Sequence, residues 1–202
     1  MPVKDIPEAG GRIQFPLPKG EAALTYHHRT SDVTPYSPYI PITGQVGENR
    51  YAFDARFDVE VGLWCEAAWI SKTKNTGLFS NQHLLTLGTD YTFDIGNGLG
   101  ILFEHFIFSL SEKSFDIADP VNFSATSLNY PLTIDDHINI ISFYDWGHKT
   151  IYYFGSWKHN FGKIAAHLML YINPKNYMLP LTGNASVLYA GNGIQLMIIY
   201  KH

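Results

Sequence analysis

The chain has 202 residues, of which 46% are hydrophobic, 15% aromatic and only 16% charged, with a net charge of −4, whereas a soluble domain usually carries roughly 25% charged residues. Mean hydropathy is near zero at −0.08, and no run approaches the ~18 apolar residues of a membrane-crossing helix, so a helical membrane protein is excluded. The acidic balance and scattered lysines argue against nucleic acid as a partner, and a single cysteine, Cys65, rules out an intrachain disulfide and reads as a small packing residue.

Alternation with a period of two dominates the chain, which places successive side chains on opposite faces of a sheet. It predicts about ten strands. The first covers 21–30 and leads into a Pro- and Ser-rich loop over 31–49. Strand 50–59 sets Tyr51, Phe53, Ala55, Phe57 and Val59 against Ala52, Asp54, Arg56 and Asp58. A short turn at Glu60 to Gly62 leads to strand 62–72, which sets Leu63, Cys65, Ala67 and Trp69 against Trp64, Glu66, Ala68 and Ile70. After the polar loop 73–82, strand 83–95 opposes Leu85, Leu87, Tyr91 and Phe93 to Thr86, Asp90 and Asp94. Gly96-Asn97-Gly98 is a hairpin turn, since Gly and Asn tolerate positive φ. Strands follow at 99–111, 121–131, 136–145, 150–160, 163–173 and 193–202, with long connections at 112–120 and 174–192 and short ones at Asp135–Asp136, Trp146–Lys149 and Phe161–Gly162. The alternation is less clean in 99–111, 136–145 and 150–160. The early connections alternate long and short, so the long loops fall on one side of the sheet, and an even strand count leaves both ends of the sheet on the other side.

The apolar face has aromatic residues at both ends. Tyr51, Trp69 and Trp146 are expected near the long-loop ends of their strands, and Phe57, Tyr91, Phe93 and Tyr200 near the short-turn ends. Tyr and Trp favour a membrane–water boundary because their rings are amphipathic. Asp54, Arg56, Asp58, Glu66, Asp90, Asp94 and Glu104 fall on the opposite, inward face as a polar lining. An unpaired charge in a dry interior is costly, so these carboxylates should pair with Arg56 or keep water.

With these features in place, the segments RYAFDARFDVEVGLWCEAAWISK (50–72), LLTLGTDYTFDIGNGLGILFEHFIF (84–108) and GIQLMIIYKH (193–202) resemble the porin-like outer-membrane β-barrels of Gram-negative bacteria. The resemblance implies an all-β, up-and-down antiparallel transmembrane barrel over residues 21–202, alone or as part of a larger barrel, with 1–20 as a periplasmic N-terminal segment. It implies outer-membrane lipid as partner and either passive passage of small solutes or a structural surface role. Met1 to Gly11 has no apolar core and does not read as an export signal. Such barrels usually end on an aromatic residue, whereas this chain ends Tyr200-Lys201-His202. The alternative reading is a soluble, lipocalin-like barrel, with the apolar face turned inward around an apolar ligand.

No cofactor or metal is expected. Of the nine histidines, His27 and His28 point to opposite faces, and His159 and His167 meet only if the turn at Gly162 brings them to one face. Asp145 and His148 sit at one tight connection and can meet, while Asp136 and His137 are adjacent and separated by the sheet. Neither pair makes a nucleophile–base–orienter set, so enzymatic activity is not expected. Gly96 to Gly98 and Gly191 to Gly193 precede no helix and are not phosphate loops. Tyr36, Tyr39, Phe115, Tyr177 and Tyr189 are loop aromatics that fit either ligand contact or closure over the mouth of a barrel.

Overall fold

A computed structural model describes residues 6–33, 44–174 and 191–201. Tyr36, Tyr39, Tyr177 and Tyr189 lie outside the described residues. The described chain is all β. Eleven strands follow one another in a single sheet: β1 (Ala9–Leu17), β2 (Gly20–Val33), β3 (Gly44–Asp58), β4 (Gly62–Lys72), β5 (Asn81–Phe93), β6 (Leu99–Ser111), β7 (Val121–Pro131), β8 (Asp136–Asp145), β9 (Thr150–Phe161), β10 (Ile164–Ile172) and β11 (Asn192–Tyr200). Each strand pairs with its neighbours in sequence, and the order ends at β1 on one side and β11 on the other, so the sheet is not closed into a barrel.

The ten expected strands are present, with β7 and β8 at their expected bounds. The eleventh is β1, which pairs with β2 from Ala9↔His28 to Leu17↔Gly20. Its sequence, AGGRIQFPL, carries two glycines and a proline, residues that weaken a strand signal. On an edge strand the missing N–H of Pro16 need not enter a ladder. The odd count also removes the argument from an even number. Ala9 begins β1 opposite His28, on the side of the 34–43 connection, while Tyr200 ends β11 opposite Ile164, beside the short Phe161–Gly162 turn. The first strand therefore starts at the long-connection end of its hairpin, and the last finishes at a short-turn end.

The chain divides into two compact units, residues Met1–Leu87 with Phe106–Val121, and Gly88–His105 with Asn122–His202. Neither has a helix among its described residues to cover a sheet face. Much of the burial pattern is inverted. Large apolar side chains such as Leu24, Phe53, Leu87, Leu170 and Ile198 are exposed, while Ser31, Glu48, Asn81, Ser109, Ser111 and Asp145 are buried. In the first unit hydrogen bonds tie the 73–80 and 112–120 connections to each other and to the buried Asn81 of β5 and Ser109 of β6. Asn81 Nδ2 donates to the Glu112 carbonyl (3.1 Å), Asn75 Nδ2 to Glu112 Oε1 (2.6 Å) and Ser109 Oγ to the Ala118 carbonyl (2.7 Å). These bonds satisfy groups that would otherwise be costly to bury.

Candidate functional site

Register assigns each side chain of the first unit to a face. One face carries the row Ile13–Leu24–Phe53–Ala67 and, two residues along, Tyr26–Tyr51–Trp69. The rings of that second row touch in sequence: Tyr26 to Tyr51 at 5.3 Å, Tyr51 stacked on Trp69 at 5.2 Å, and Trp69 on Phe115 at 4.3 Å. Tyr51 differs from expectation in one respect. Because β3 begins at Gly44, Tyr51 sits at mid-strand rather than at its end. Beyond the aromatic row the β2–β3 hairpin continues with polar residues on both faces, including His28, Arg29, Glu48, Asn49 and Arg50.

The opposite face of the same unit is charged. Gln14, Ala23, Asp54 and Glu66 form one row, and Glu21, Arg56 and Trp64 belong to the next. Arg12 holds Asp54 through two parallel bonds, Nη1–Oδ1 at 2.5 Å and Nη2–Oδ2 at 2.7 Å, and also reaches Thr25 Oγ1 at 3.3 Å. The sequence leads Asp54 to pair with Arg56 or to keep water, whereas its observed partner comes from β1, within the segment 1–20 expected to precede the barrel. Among the described residues Arg56 makes no ion pair. Asp54, Arg56 and Glu66 thus share one face with Arg12, and Asp58 continues it at the short-turn end. In the second unit Asp90 lies near the end of β5, Asp94 in the turn after it, and Glu104 on β6.

Past the aromatic row, Glu48 is 4% exposed and sits between Arg29 (2.9 Å) and Arg50 (2.7 Å), with Lys72 opposite in register. Burial pushes its carboxyl up, but the hydrogen bonds and charges of Arg50 and then Arg29 outweigh this and hold it below its ordinary value. The sequence reading named none of Arg12, Arg29, Glu48 and Arg50. The sequence carried no signal for these pairs, because the register that joins Arg12 to Asp54 and Arg29 to Glu48 is set by strand pairing.

The second unit has its own apolar rows, Tyr130–Ile138–Trp157–Leu168–Leu196 and Leu128–Ile140–Gly155–Leu170–Ile194, in which Ile140, Trp157, Leu170, Ile194 and Leu196 are exposed. At the short-turn end they meet a polar–aromatic boundary missed by the sequence reading. Asp136 Oδ1 accepts from Trp157 Nε1 (3.1 Å) and lies 2.6 Å from His159 Nδ1, while Phe161 packs on His159 at 4.0 Å. The other expected aromatics of the second unit lie on β5, in the turn after β8 and on β11. Tyr91 meets Phe93 edge-on at 4.7 Å, Trp146 packs on Tyr144 at 4.8 Å and donates to Ser124 Oγ at 2.9 Å, and Tyr200 is 63% exposed. Phe57, in the first unit, is half-buried beside Gly20.

No family model matches the chain, and no curated protein or solved structure matches it either. The function is therefore argued from the faces themselves. Asp145 and His148 meet at 2.8 Å. His159 stands opposite Ala166 and His167 opposite Lys158, so the two imidazoles fall on different faces. Ser124 Oγ lies 2.9 Å from His105 Nδ1, yet among the described residues no carboxylate orients that imidazole. No group of three His, Cys, Asp or Glu side chains gathers around one point among the described residues.

Proposed function

We propose that the chain is an outer-membrane β-barrel of pore type, embedded in lipid by its exposed apolar face and passing small solutes along its other face. One observation carries the reading: large apolar side chains stand exposed in register across neighbouring strands, as in Ile13–Leu24–Phe53 and Leu170–Ile194. A contiguous exposed apolar patch marks an interaction surface, and lipid is the partner that suits a whole sheet face. The strands contain between 9 and 15 residues, and a tilted strand needs roughly 9–11 to cross the hydrocarbon layer. From Ile151 to Phe161 the apolar side of β9 covers ten residue steps, about 33 Å at ~3.3 Å per residue. Tilting shortens that towards the ~25 Å apolar band of such barrels.

The reading sets a condition. Backbone groups on an open strand edge go unsatisfied in lipid, so the outer edges of β1 and β11 must each pair with a strand in the bilayer. The test is detergent dependence. The barrel requires detergent, gives a β spectrum by circular dichroism, changes gel mobility on heating and conducts in a planar bilayer. A β-rich monomer in plain buffer overturns it and favours the lipocalin-like reading. That rival draws on the large apolar side chains Phe143, Phe154 and Tyr171, which sit on the face of β8–β10 opposite the exposed rows.

A further inference from the structure

The face of β8–β11 opposite the exposed rows is graded along the strands. Nearest the short turns, His137, Lys158 and His167 stand side by side on β8, β9 and β10. The next row is Asn139–Ser156–Met169–Gln195, uncharged but rich in hydrogen-bonding groups. Beyond it come Ile141–Phe154–Tyr171 and then Phe143–Tyr152. Phe154 lies 6.3 Å from Phe143 and 6.5 Å from Tyr171. The Tyr171 ring lies across Gly193, where a Cβ would collide with it, so it is laid flat over β11. A cleft of about 390 Å³ opens over the second and later rows, lined by Asn139, Ile141, Phe154, Met169, Tyr171 and Gln195 among others, and the row of His137, Lys158 and His167 is the next row towards the short turns. Among the described residues Lys158 has no carboxylate partner. Successive rows are two residues, or about 6.6 Å, apart along a strand, so the Lys158 row and the Phe154–Tyr171 row stand about 13 Å apart, a span for an aryl-alkyl amphiphile with a chain of about eight carbons.

We propose that this cleft binds an amphiphilic organic carboxylate. Lys158, flanked by His137 and His167, takes the carboxylate, the Asn139 and Gln195 amides border its polar part, and Phe154 and Tyr171 hold its apolar body. An ammonium on the head group is repelled by Lys158, and a neutral head group gains nothing from it. The inference rests on the pore reading in that it gives the inward face a solute class. Binding is measured in detergent micelles and needs no bilayer, so failure to bind and failure to insert are separate results.

The test titrates the folded full chain calorimetrically with 8-phenyloctanoate, 8-phenyloctanol and 8-phenyloctylamine. The acid is expected to bind best. Lys158→Gln weakens the acid about tenfold, the loss of one charge-assisted hydrogen bond, and leaves the alcohol unchanged. Lys158→Arg restores the acid, and Phe154→Ala weakens both acid and alcohol, with circular dichroism confirming that each variant is folded. Equal binding of acid and amine, or an unchanged acid affinity in Lys158→Gln, overturns the cationic end of the site. Absence of saturable binding by any of the three overturns the cleft.

Discussion

Glu48 is the clearest case in which one residue carries local structure. Its carboxylate is buried between two guanidinium groups, and neutralising it leaves both without a counter-charge. Glu48→Gln is expected to cost about 1–2 kcal/mol at pH 7, less than a fully buried pair because Arg50 is partly solvated. The folded-state pKa is lowered, so the contribution is present above the ordinary carboxylate value and lost as pH falls through the depressed one. Denaturant melts of wild type and variant should therefore differ at pH 7 and converge in acid; a difference that persists at low pH refutes the charge argument. Gly20 is constrained differently. A Cβ there would collide with the Arg56 carbonyl oxygen and crowd the Phe57 ring. Gly20→Ala is expected to destabilise by about 1–3 kcal/mol through this overpacking, read as a lower denaturation midpoint.

At the scale of the element, the two faces of a strand make opposite predictions. On β3, Phe53 is on the exposed apolar face and Ala52 on the charged one. If the apolar face meets lipid, Phe53→Arg costs about 2–4 kcal/mol while the neighbouring Ala52→Arg is tolerated. If that face meets water, Phe53→Arg is harmless. Folding yield into lipid vesicles separates the two cases. Strand positions were legible because period-two alternation is a local property, and β4, β6 and β7 show how well it locates elements, whereas β3 begins at Gly44, inside the loop expected over 31–49, where polar residues on both faces hide the alternation. β1 was not, because Gly10, Gly11 and Pro16 suppress the pattern and its pairing with β2 supplies what the sequence lacks. The ragged alternation in 136–145 and 150–160 also has a cause. Ile141, Phe143 and Phe154 sit on one face while Ile138, Ile140 and Trp157 sit on the other, so both faces are apolar and the period is blurred.

For the whole molecule, the exposed apolar face predicts how the chain behaves in solution. Burial of such a face supplies about 25 cal/mol per Å², and no helix among the described residues provides it. Cooperative unfolding is therefore expected in detergent micelles or vesicles, and association or precipitation on their removal, measurable by light scattering during dilution. A clear monomeric solution after dilution contradicts the membrane reading.

The sequence by itself determined the all-β class, most strand bounds and which residues share a face, because these follow from propensity, turn chemistry and a period of two. The tertiary structure decided which charges meet. Arg12 and Asp54 are 42 positions apart, and only the stacking of β1 on β2 and β2 on β3 brings them within hydrogen-bonding distance. Likewise, the row of His137, Lys158 and His167 exists only through the register of three strands, since register is set by pairing and not by any one strand's pattern.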